Sequence, residues 1–270
     1  MTQPLVHSAF YRFVALHDPL AVAARLRQLS GGLLGSILVA GEGINGTVAG
    51  EAGTIDAFEH AVHSDAAFGR CFSGMTFKHS ACTTAPFARM KVHVRPEIVA
   101  VGVPALPVEA GASLAPQAWR EFIARDDVVV IDNRNSVEFR LGHFKGAVDP
   151  QVANFRDFPE FIKAHAPQWL ADGKRVAMYC TGGIRCEKTS GWMHSLGLPV
   201  TQLEGGILNY LRAMPDAQHD WQGECLVFDN RIALNTQLRE SGTTLEQVYQ
   251  GEPDGQWRIE RARRLRAGVD

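Results

Sequence analysis

The chain has 270 residues, the length of one or two ordinary domains and enough to bury a core without disulfide or metal staples. Hydrophobic residues make up 46% and charged residues 21%, which excludes disordered, collagen-like and low-complexity chains. Lys and Arg number 27 against 29 Asp and Glu, a formal net charge of -2, so the overall balance points to neither nucleic acid nor membrane. No stretch approaches the ~20 continuous apolar residues of a membrane span. Residues 1–7 lack a basic segment followed by an apolar run, so no secretory leader is expected. Five cysteines, an odd number, do not make a disulfide framework in a chain this long. A reducing cytoplasm is the expected compartment, and there the question about each thiol is its reactivity.

Residues 9–15 (AFYRFVA) are apolar and aromatic and predict a strand. Asp18-Pro19 starts a helix whose apolar face carries Leu20, Val22, Ala23, Leu26 and Leu29, and Gly31-Gly32 ends it. Residues 36–40 (SILVA) predict a second strand, 41–46 a glycine-rich turn and 47–49 a third strand. A helix is expected over 54–63, with further strands at 76–80 and 92–101. The order βαββαβ is that of an α+β ferredoxin-like unit over residues 1–100. Residues 101–116 carry Pro104, Pro107, Pro116, Gly102 and Gly111 with almost no charge, as a semi-rigid linker does.

A second alternating unit follows over 117–215. A short helix at 117–124 precedes Val128–Asp132 (VVVID), a continuous apolar run of the kind buried on both faces of a sheet. Helices are expected at 136–140 and 158–165, a buried strand at Arg175–Tyr179 (RVAMY), a helix at 186–196, a strand at Val200–Leu203 and a helix at Gly206–Ala213. Repeated β-then-α alternation implies a parallel sheet covered by helices on both faces, with reactive groups at the carboxyl ends of its strands. The extension 216–270 has no clean period; a short strand at 225–229 and helices at 234–240, 244–249 and 256–267 are expected there.

One of those strand ends carries the chemistry. The strand ending at Tyr179 runs directly into Cys180-Thr181-Gly182-Gly183-Ile184-Arg185, and a helix follows. A thiol so placed faces successive backbone N–H groups and a helix N-terminus, both of which favour the thiolate. The two glycines let the loop curl around the sulfur, and Arg185 adds a permanent positive charge as an anion clamp. A nucleophilic Cys180 in an anion cradle is the reading, against that of a buried inert cysteine at a strand end.

The segment 180–185 resembles the active loop of rhodaneses. Two further marks of that family flank it: Asp132-Asn133-Arg134 with Glu138-Phe139 and 142–147 (GHFKGA) before, and 203–207 (LEGGI) after. The resemblance implies a rhodanese-like parallel-sheet domain with Cys180 as the sulfur-accepting residue and Asp132 and Arg134 supporting the loop. More narrowly, Tyr11-Arg12-Phe13, 40–47 (AGEGINGT), 89–92 (RMKV), 180–188 (CTGGIRCEK) and 223–231 (GECLVFDNR) resemble the rhodanese-domain family of tRNA uridine(34) hydroxylases. That resemblance spans about 10–231 and implies conversion of the wobble uridine of tRNA to 5-hydroxyuridine, with O2 as co-substrate and the anticodon arm of tRNA as partner. Many members carry a Cys-rich extension; here no cysteine follows Cys225, and no metal site is expected. No flavin, haem or non-haem iron signature is present, so no cofactor is evident.

Other residues carry two readings each. Segment 41–47 is not a Walker loop, and as a turn it needs no ligand; the resemblance adds a role in RNA or domain contact, with Glu42 and Asn45 as the polar candidates. Lys78, Arg89, Lys91 and Arg95 form a basic cluster in sequence, and Lys188 flanks the active loop; all could meet phosphate, though a run of basic residues is more often a solvated face. Cys186 could resolve an oxidised Cys180 as a disulfide, but the plainer reading is a small residue packed at a helix start. Cys71, Cys82 and Cys225 read as structural thiols. Rival functions on the same loop are a thiosulfate-type sulfurtransferase using Cys180, a phosphatase and a non-catalytic RNA-binding module. The phosphatase ranks low because the spacing is C-x4-R rather than the longer C-x5-R.

Overall fold

The computed structural model describes residues 5–107 and 113–268, which fall into two compact units. The first contains Met1–Ile98, Phe228–Arg231 and Pro253–Asp270; the second contains Val99–Val227 and Ile232–Glu252. The segment after 216 therefore contributes to both units. Of the proline-rich stretch 101–116, residues 108–112 lie outside the described residues and Ser113–Leu114 form a short strand.

In the first unit, β1 (Leu5–Phe13), α1 (Pro19–Leu29), β2 (Leu34–Ala40), β3 (Gly43–Gly50), α2 (Ala52–Ser64), β4 (Phe77–Cys82) and β5 (Met90–Val94) build a five-stranded sheet of order β4-β1-β3-β2-β5. All pairings are antiparallel except β2 with β5. The Asp18 carboxylate accepts the Ala21 N–H at 2.9 Å and caps α1, with Pro19 in its first turn. Ala23 and Leu26 of α1 and Ile55, Phe58 and Val62 of α2 pack on Phe10, Ile37, Val39, Ile44 and Val48, the residues of one sheet face. Strand β5 stops at Val94, before Pro96, so the strand expected to reach 101 is shorter.

The glycine-rich segment also differs from expectation. The turn is confined to Gly41 and Glu42, and Gly43 to Gly46 lie inside β3. A Cβ on Gly43 would stand 1.9 Å from the Arg12 carbonyl oxygen, so the glycine serves the close approach of β3 to β1.

In the second unit, β6 (Ser113–Leu114), α3 (Pro116–Ile123), β7 (Val128–Asp132), α4 (Ser136–Leu141), β8 (Gly142–Phe144), α5 (Phe158–Ala171), β9 (Arg175–Tyr179), α6 (Ile184–Ser195), β10 (Val200–Leu203) and α7 (Gly206–Ala213) follow in order. The sheet order is β6-β10-β9-β7, all parallel. Strand β9 explains the two-sided burial. Val176 and Met178 join Phe158, Ile162 and Met193 in one hydrophobic cluster, whereas Ala177 and Tyr179 join Trp119, Ile207 and Tyr210 in the other. Period-two alternation thus feeds a core on each face.

After α7, β11 (Trp221–Gly223) pairs with β8, and β12 (Cys225–Leu226) pairs with β13 (Ala233–Leu234). The helix expected over 234–240 is a strand end and a turn. The Asn235 side-chain oxygen accepts the N–H groups of Gln237 and Arg239, each at 3.0 Å, a local alternative to helical bonding. Helix α8 (Leu245–Val248) belongs to this unit, and α9 (Gly255–Arg266) to the first. Among the described residues no helix is long and apolar enough to cross a membrane.

Candidate active site

Strand β9 ends at Tyr179 and delivers Cys180 to the carboxyl edge of the parallel sheet. The Cys180 side chain is fully buried. The Gly183 N–H points at its sulfur at 3.1 Å, with Gly183 in the left-handed region as the N-cap of α6. Cys186 follows in the first turn of α6, where its thiol and backbone N–H bear on the charge of the Cys180 sulfur. Burial alone pushes the Cys180 thiol up; the Cys186 thiol, the Arg185 charge and the two N–H groups outweigh burial and bring it down to about 5. At neutral pH Cys180 is therefore a thiolate. Burial pushes the Cys186 thiol the other way, and the neighbouring Cys180 charge adds to that, so Cys186 keeps its proton.

The loop's carbonyls are held from a third element. Helix α7 directs the Ile207 N–H to the Cys180 carbonyl at 2.9 Å and the Leu208 N–H to the Thr181 carbonyl at 3.2 Å. Gly206 makes this contact feasible. It sits at φ +70, and a Cβ there would stand 2.5 Å from the Cys180 carbonyl oxygen. Thr181, Gly182 and Ile184 are partly exposed and form the outer side of the loop.

Arg185 is not a free clamp: it donates to the Thr181 hydroxyl at 3.3 Å and is otherwise committed to a carboxylate. Its two terminal amino groups each bond a Glu138 carboxylate oxygen at 2.7 Å, in the fork geometry of a bidentate pair. Glu138 is fully buried; burial raises its carboxyl, and the Arg185 charge more than reverses this, so the pair stays ionised. Arg185 thus acts on Cys180 through its charge.

Asp132 and Arg134 form a second bidentate pair at 2.8 and 2.6 Å, with both side chains wholly buried. The Tyr179 hydroxyl donates to Asp132 at 2.7 Å, and Arg134 also donates to the Gly142 carbonyl at 2.6 Å. The guanidinium lies over the rings of Tyr179 and Trp221. These residues fix the end of β7 beside the strand that carries Cys180 and do not touch its sulfur. Between them, the Asn133 N–H holds the Tyr179 carbonyl at 2.8 Å. The Asn133 side-chain amide donates to Thr189 at 2.9 Å and reaches the Cys186 sulfur at 3.8 Å.

Glu138 and Asn133 have site roles that the sequence reading did not assign, although both lie in the motifs it quoted. The signal for Glu138 was available: an arginine buried beside a thiolate needs a carboxylate, and Glu138 lies in a matched motif.

A family model described as "Rhodanese-like domain" matches residues 115–213, and one described as "UPF0176 acylphosphatase like domain" matches residues 5–98. A protein of Deinococcus radiodurans named tRNA uridine(34) hydroxylase is 44% identical over 247 residues, covering 90% of this chain and 80% of that protein. A protein of the same name from Nitrobacter winogradskyi is 46% identical over 241 residues, covering 87% of this chain and 93% of that protein. The chain belongs to the tRNA uridine(34) hydroxylase family.

The other residues singled out in this hydroxylase-family sequence are not all at the Cys180 loop. Glu42 and Asn45 lie in the first unit and hold one peptide: Glu42 accepts the Ile98 N–H and Asn45 donates to the Ile98 carbonyl, both at 3.0 Å. Lys78 and Lys91 sit on opposite edge strands. The register runs Lys78–Ala9–Thr47–Ser36–Lys91, one rung across the sheet face opposite the helices. At roughly 4.8 Å per strand their backbones are about 19 Å apart. Tyr11 and Phe13 share that face, and Lys78 lies over the Tyr11 ring. Arg89 is exposed just before β5, whereas Lys188 is buried within α6. Cys82 and Cys225 are buried and Cys71 partly so, all three as free thiols. Among the described residues no group of three or more His, Cys, Asp or Glu is placed to hold a metal.

Proposed function

We propose that this chain converts uridine 34 of tRNA to 5-hydroxyuridine, with O2 as co-substrate and Cys180 as the reactive residue. The observation that carries the reading is the Cys180 loop, a buried thiolate held by Gly183, Cys186 and Arg185 in a chain of this family. A thiolate at neutral pH supplies a nucleophile, and the surrounding N–H groups stabilise negative charge on it or on what it carries. Thr181, Gly182, Gly183 and Ile184 supply the loop; Glu138 and the Asp132–Arg134 pair keep it in place. On this reading the enzyme works in the cytoplasm, where tRNA is found.

The anticodon arm is the part of tRNA that presents position 34. The rung from Lys78 to Lys91, with Tyr11 and Phe13 beside it, supports a role for the first unit in holding that arm. Lysines meet phosphates and exposed aromatic rings stack unpaired bases. Arg89 would extend the same surface.

The test is nucleoside mass spectrometry of tRNA from a strain lacking its own member of the family. Wild-type complementation should restore 5-hydroxyuridine, and growth under nitrogen should abolish it. Full restoration by Cys180→Ser would remove Cys180 from the reaction. A second reading, transfer of sulfane sulfur through a Cys180 persulfide, rests on the same loop. Cyanide-dependent release of thiocyanate that disappears in Cys180→Ala, from a protein that leaves tRNA unmodified, would favour it.

A further inference from the structure

We propose that the outward stripe of helix α9, Trp257 with Arg261 and Arg264, is a tRNA-binding surface that stacks one unpaired base and meets the phosphates beside it. It rests on the reading of the chain as a tRNA-modifying enzyme and adds a contact outside both the Cys180 loop and the Lys78–Lys91 rung.

Helix α9 (Gly255–Arg266) carries five arginines against one glutamate, a net charge of +4 in a chain whose net charge is -2. Its packed side is set by Gly255 and Ile259, the buried residues of the helix. Trp257, Arg261 and Arg264 lie at i, i+4 and i+7, within about 60° of one another at 3.6 residues per turn. That stripe stands about 160° around the helix from Ile259 and so faces solvent. All three side chains are exposed, Trp257 by 53%.

A tryptophan on the packed side would serve folding. One on the outermost stripe buries little and leaves its ring in water. Arg261 lies over that ring, its guanidinium carbon 5.4 Å from the centroid. The pair makes a flat, cationic platform. Unpaired bases stack on aromatic rings and guanidinium planes alike, and the charge takes the neighbouring phosphates.

The fold does not use these charges. Arg258 bonds the Asp254 carboxylate at 2.8 Å and Arg266 the Asn230 carbonyl at 2.9 Å, so those two hold the helix in place. Among the described residues Arg261 and Arg264 form no ion pair, and Glu260 accepts the Gln256 side-chain amide at 2.7 Å. Arginines in a last turn suit the helix dipole, which accounts for Arg263, Arg264 and Arg266 but not for Arg261 or Trp257.

The helix is also moored beside the surface already assigned to tRNA. A Cβ on Gly268 would stand 3.7 Å from the Cβ of Ala88, the residue before Arg89. Asn230, which receives Arg266, bonds the Ala85 carbonyl through its side chain at 2.9 Å and the Pro86 carbonyl through its backbone N–H at 3.0 Å. The end of α9 therefore adjoins the segment that leads through Arg89 into β5 and Lys91. Charge complementarity and the family's substrate together select RNA as the occupant.

Filter binding of an unmodified tRNA transcript to the full chain over a salt series tests this. Arg261→Gln with Arg264→Gln should weaken binding about tenfold or more at moderate salt and reduce the slope of log K against log salt by about two. Arg261→Lys with Arg264→Lys keeps both charges and should restore the slope. Trp257→Ala should weaken binding about fivefold or more with the slope unchanged, because stacking releases no counterions. Ultraviolet crosslinking of the wild type needs no variant: a nucleotide adduct should fall on Trp257, in the tryptic peptide 240–258. Wild-type affinity and slope in the Gln pair and in Trp257→Ala, with no adduct on that peptide, would overturn the stripe and leave the hydroxylase reading standing. A wild-type chain that neither binds nor modifies tRNA would overturn that reading, and the stripe with it. If the Gln pair lost sedimentation with phosphatidylserine vesicles at unchanged tRNA binding, the stripe would belong to a membrane surface and the tRNA assignment would fall.

Discussion

Cys180 and Cys225 are both fully buried in the same unit, one on each face of the parallel sheet. Burial pushes each thiol up, because removing a thiolate from water is costly. Cys225 follows burial and rises to about 12; its thiol donates to the Leu226 carbonyl at 3.8 Å, an acceptor that favours the protonated form. Cys180 reverses burial and falls to about 5, because it faces donors: the Cys186 thiol, the Arg185 charge and two backbone N–H groups. The difference lies in what the backbone directs at the sulfur. A strand pairs its N–H groups within the sheet, whereas the strand-to-helix loop turns them inward.

The largest expected effect separates the two by activity. Cys180→Ser should lower 5-hydroxyuridine formation by about 10³-fold or more, the scale seen when a nucleophile is removed. Cys225→Ser should leave it within about twofold per folded molecule, although the buried hydroxyl costs about 1–3 kcal/mol of stability without a full partner. Nucleoside analysis and urea unfolding on the same preparations would read both. Equal losses of activity per folded molecule would erase the distinction.

A second break removes the frame around the loop. Arg134→Met strands the buried Asp132 carboxylate with the Tyr179 hydroxyl as its remaining side-chain donor. A loss of about 3–5 kcal/mol is expected, as for other buried pairs cut on one side. The partly exposed pair of Arg120 with Asp216 offers the control: Asp216→Ala should move the urea midpoint far less. Urea midpoints that fell equally would show the Asp132–Arg134 pair to be an ordinary ion pair.

A finer test addresses charge alone. The double variant Glu138→Leu with Arg185→Met removes both partners and leaves no stranded charge. Without the guanidinium the Cys180 thiolate loses its positive neighbour, so its pKa should rise by about 1–2 units while the N–H donors keep it below the ordinary thiol value. The midpoint of the pH dependence of Cys180 alkylation, expected at about 5 in the wild type, would report this. The linkage signs follow. Cys180 has a lowered value, so its ionisation stabilises the fold above the ordinary thiol range and that contribution fades as pH falls to about 5. Cys225 has a raised value, so its contribution is complete below the ordinary thiol range and is lost as pH rises towards about 12. Unfolding of each serine variant across pH should show opposite trends.

The same contrast explains how much could be read in advance. Cys180 was legible because its cradle is local: strand, two glycines, arginine and helix within a few residues. The partners from elsewhere in the chain were not. Glu138 reaches Arg185 from 47 positions away, and the Ile207 and Leu208 N–H groups arrive on a later helix. Periodicity carries no information about which carboxylate meets which guanidinium. Glu42 and Asn45 looked like ligand-facing polar residues because the segment was read as a turn; once Gly43 to Gly46 enter a strand, both side chains reach the Ile98 peptide. The apolar residues of 234–240 suggested a helix, but the Asn235 side chain captures the backbone N–H groups a helix would need.

The smallest effects are expected in the first unit, whose Lys78 and Lys91 stand on opposite edge strands yet share a sheet rung. Contacts to phosphate are individually weak and additive across a surface, unlike the all-or-none loop at Cys180. Lys78→Ala and Lys91→Ala should each weaken tRNA binding a few-fold at moderate salt and reduce the slope of log K against log salt by about one. Turnover at saturating tRNA should change little, because neither residue is in the Cys180 loop. Filter binding across a salt series would measure the first, and turnover at excess tRNA the second. If both substitutions left the salt slope at its wild-type value, tRNA would not cross that face of the sheet, and the aromatic pair Tyr11 and Phe13 would lose its assigned role with it.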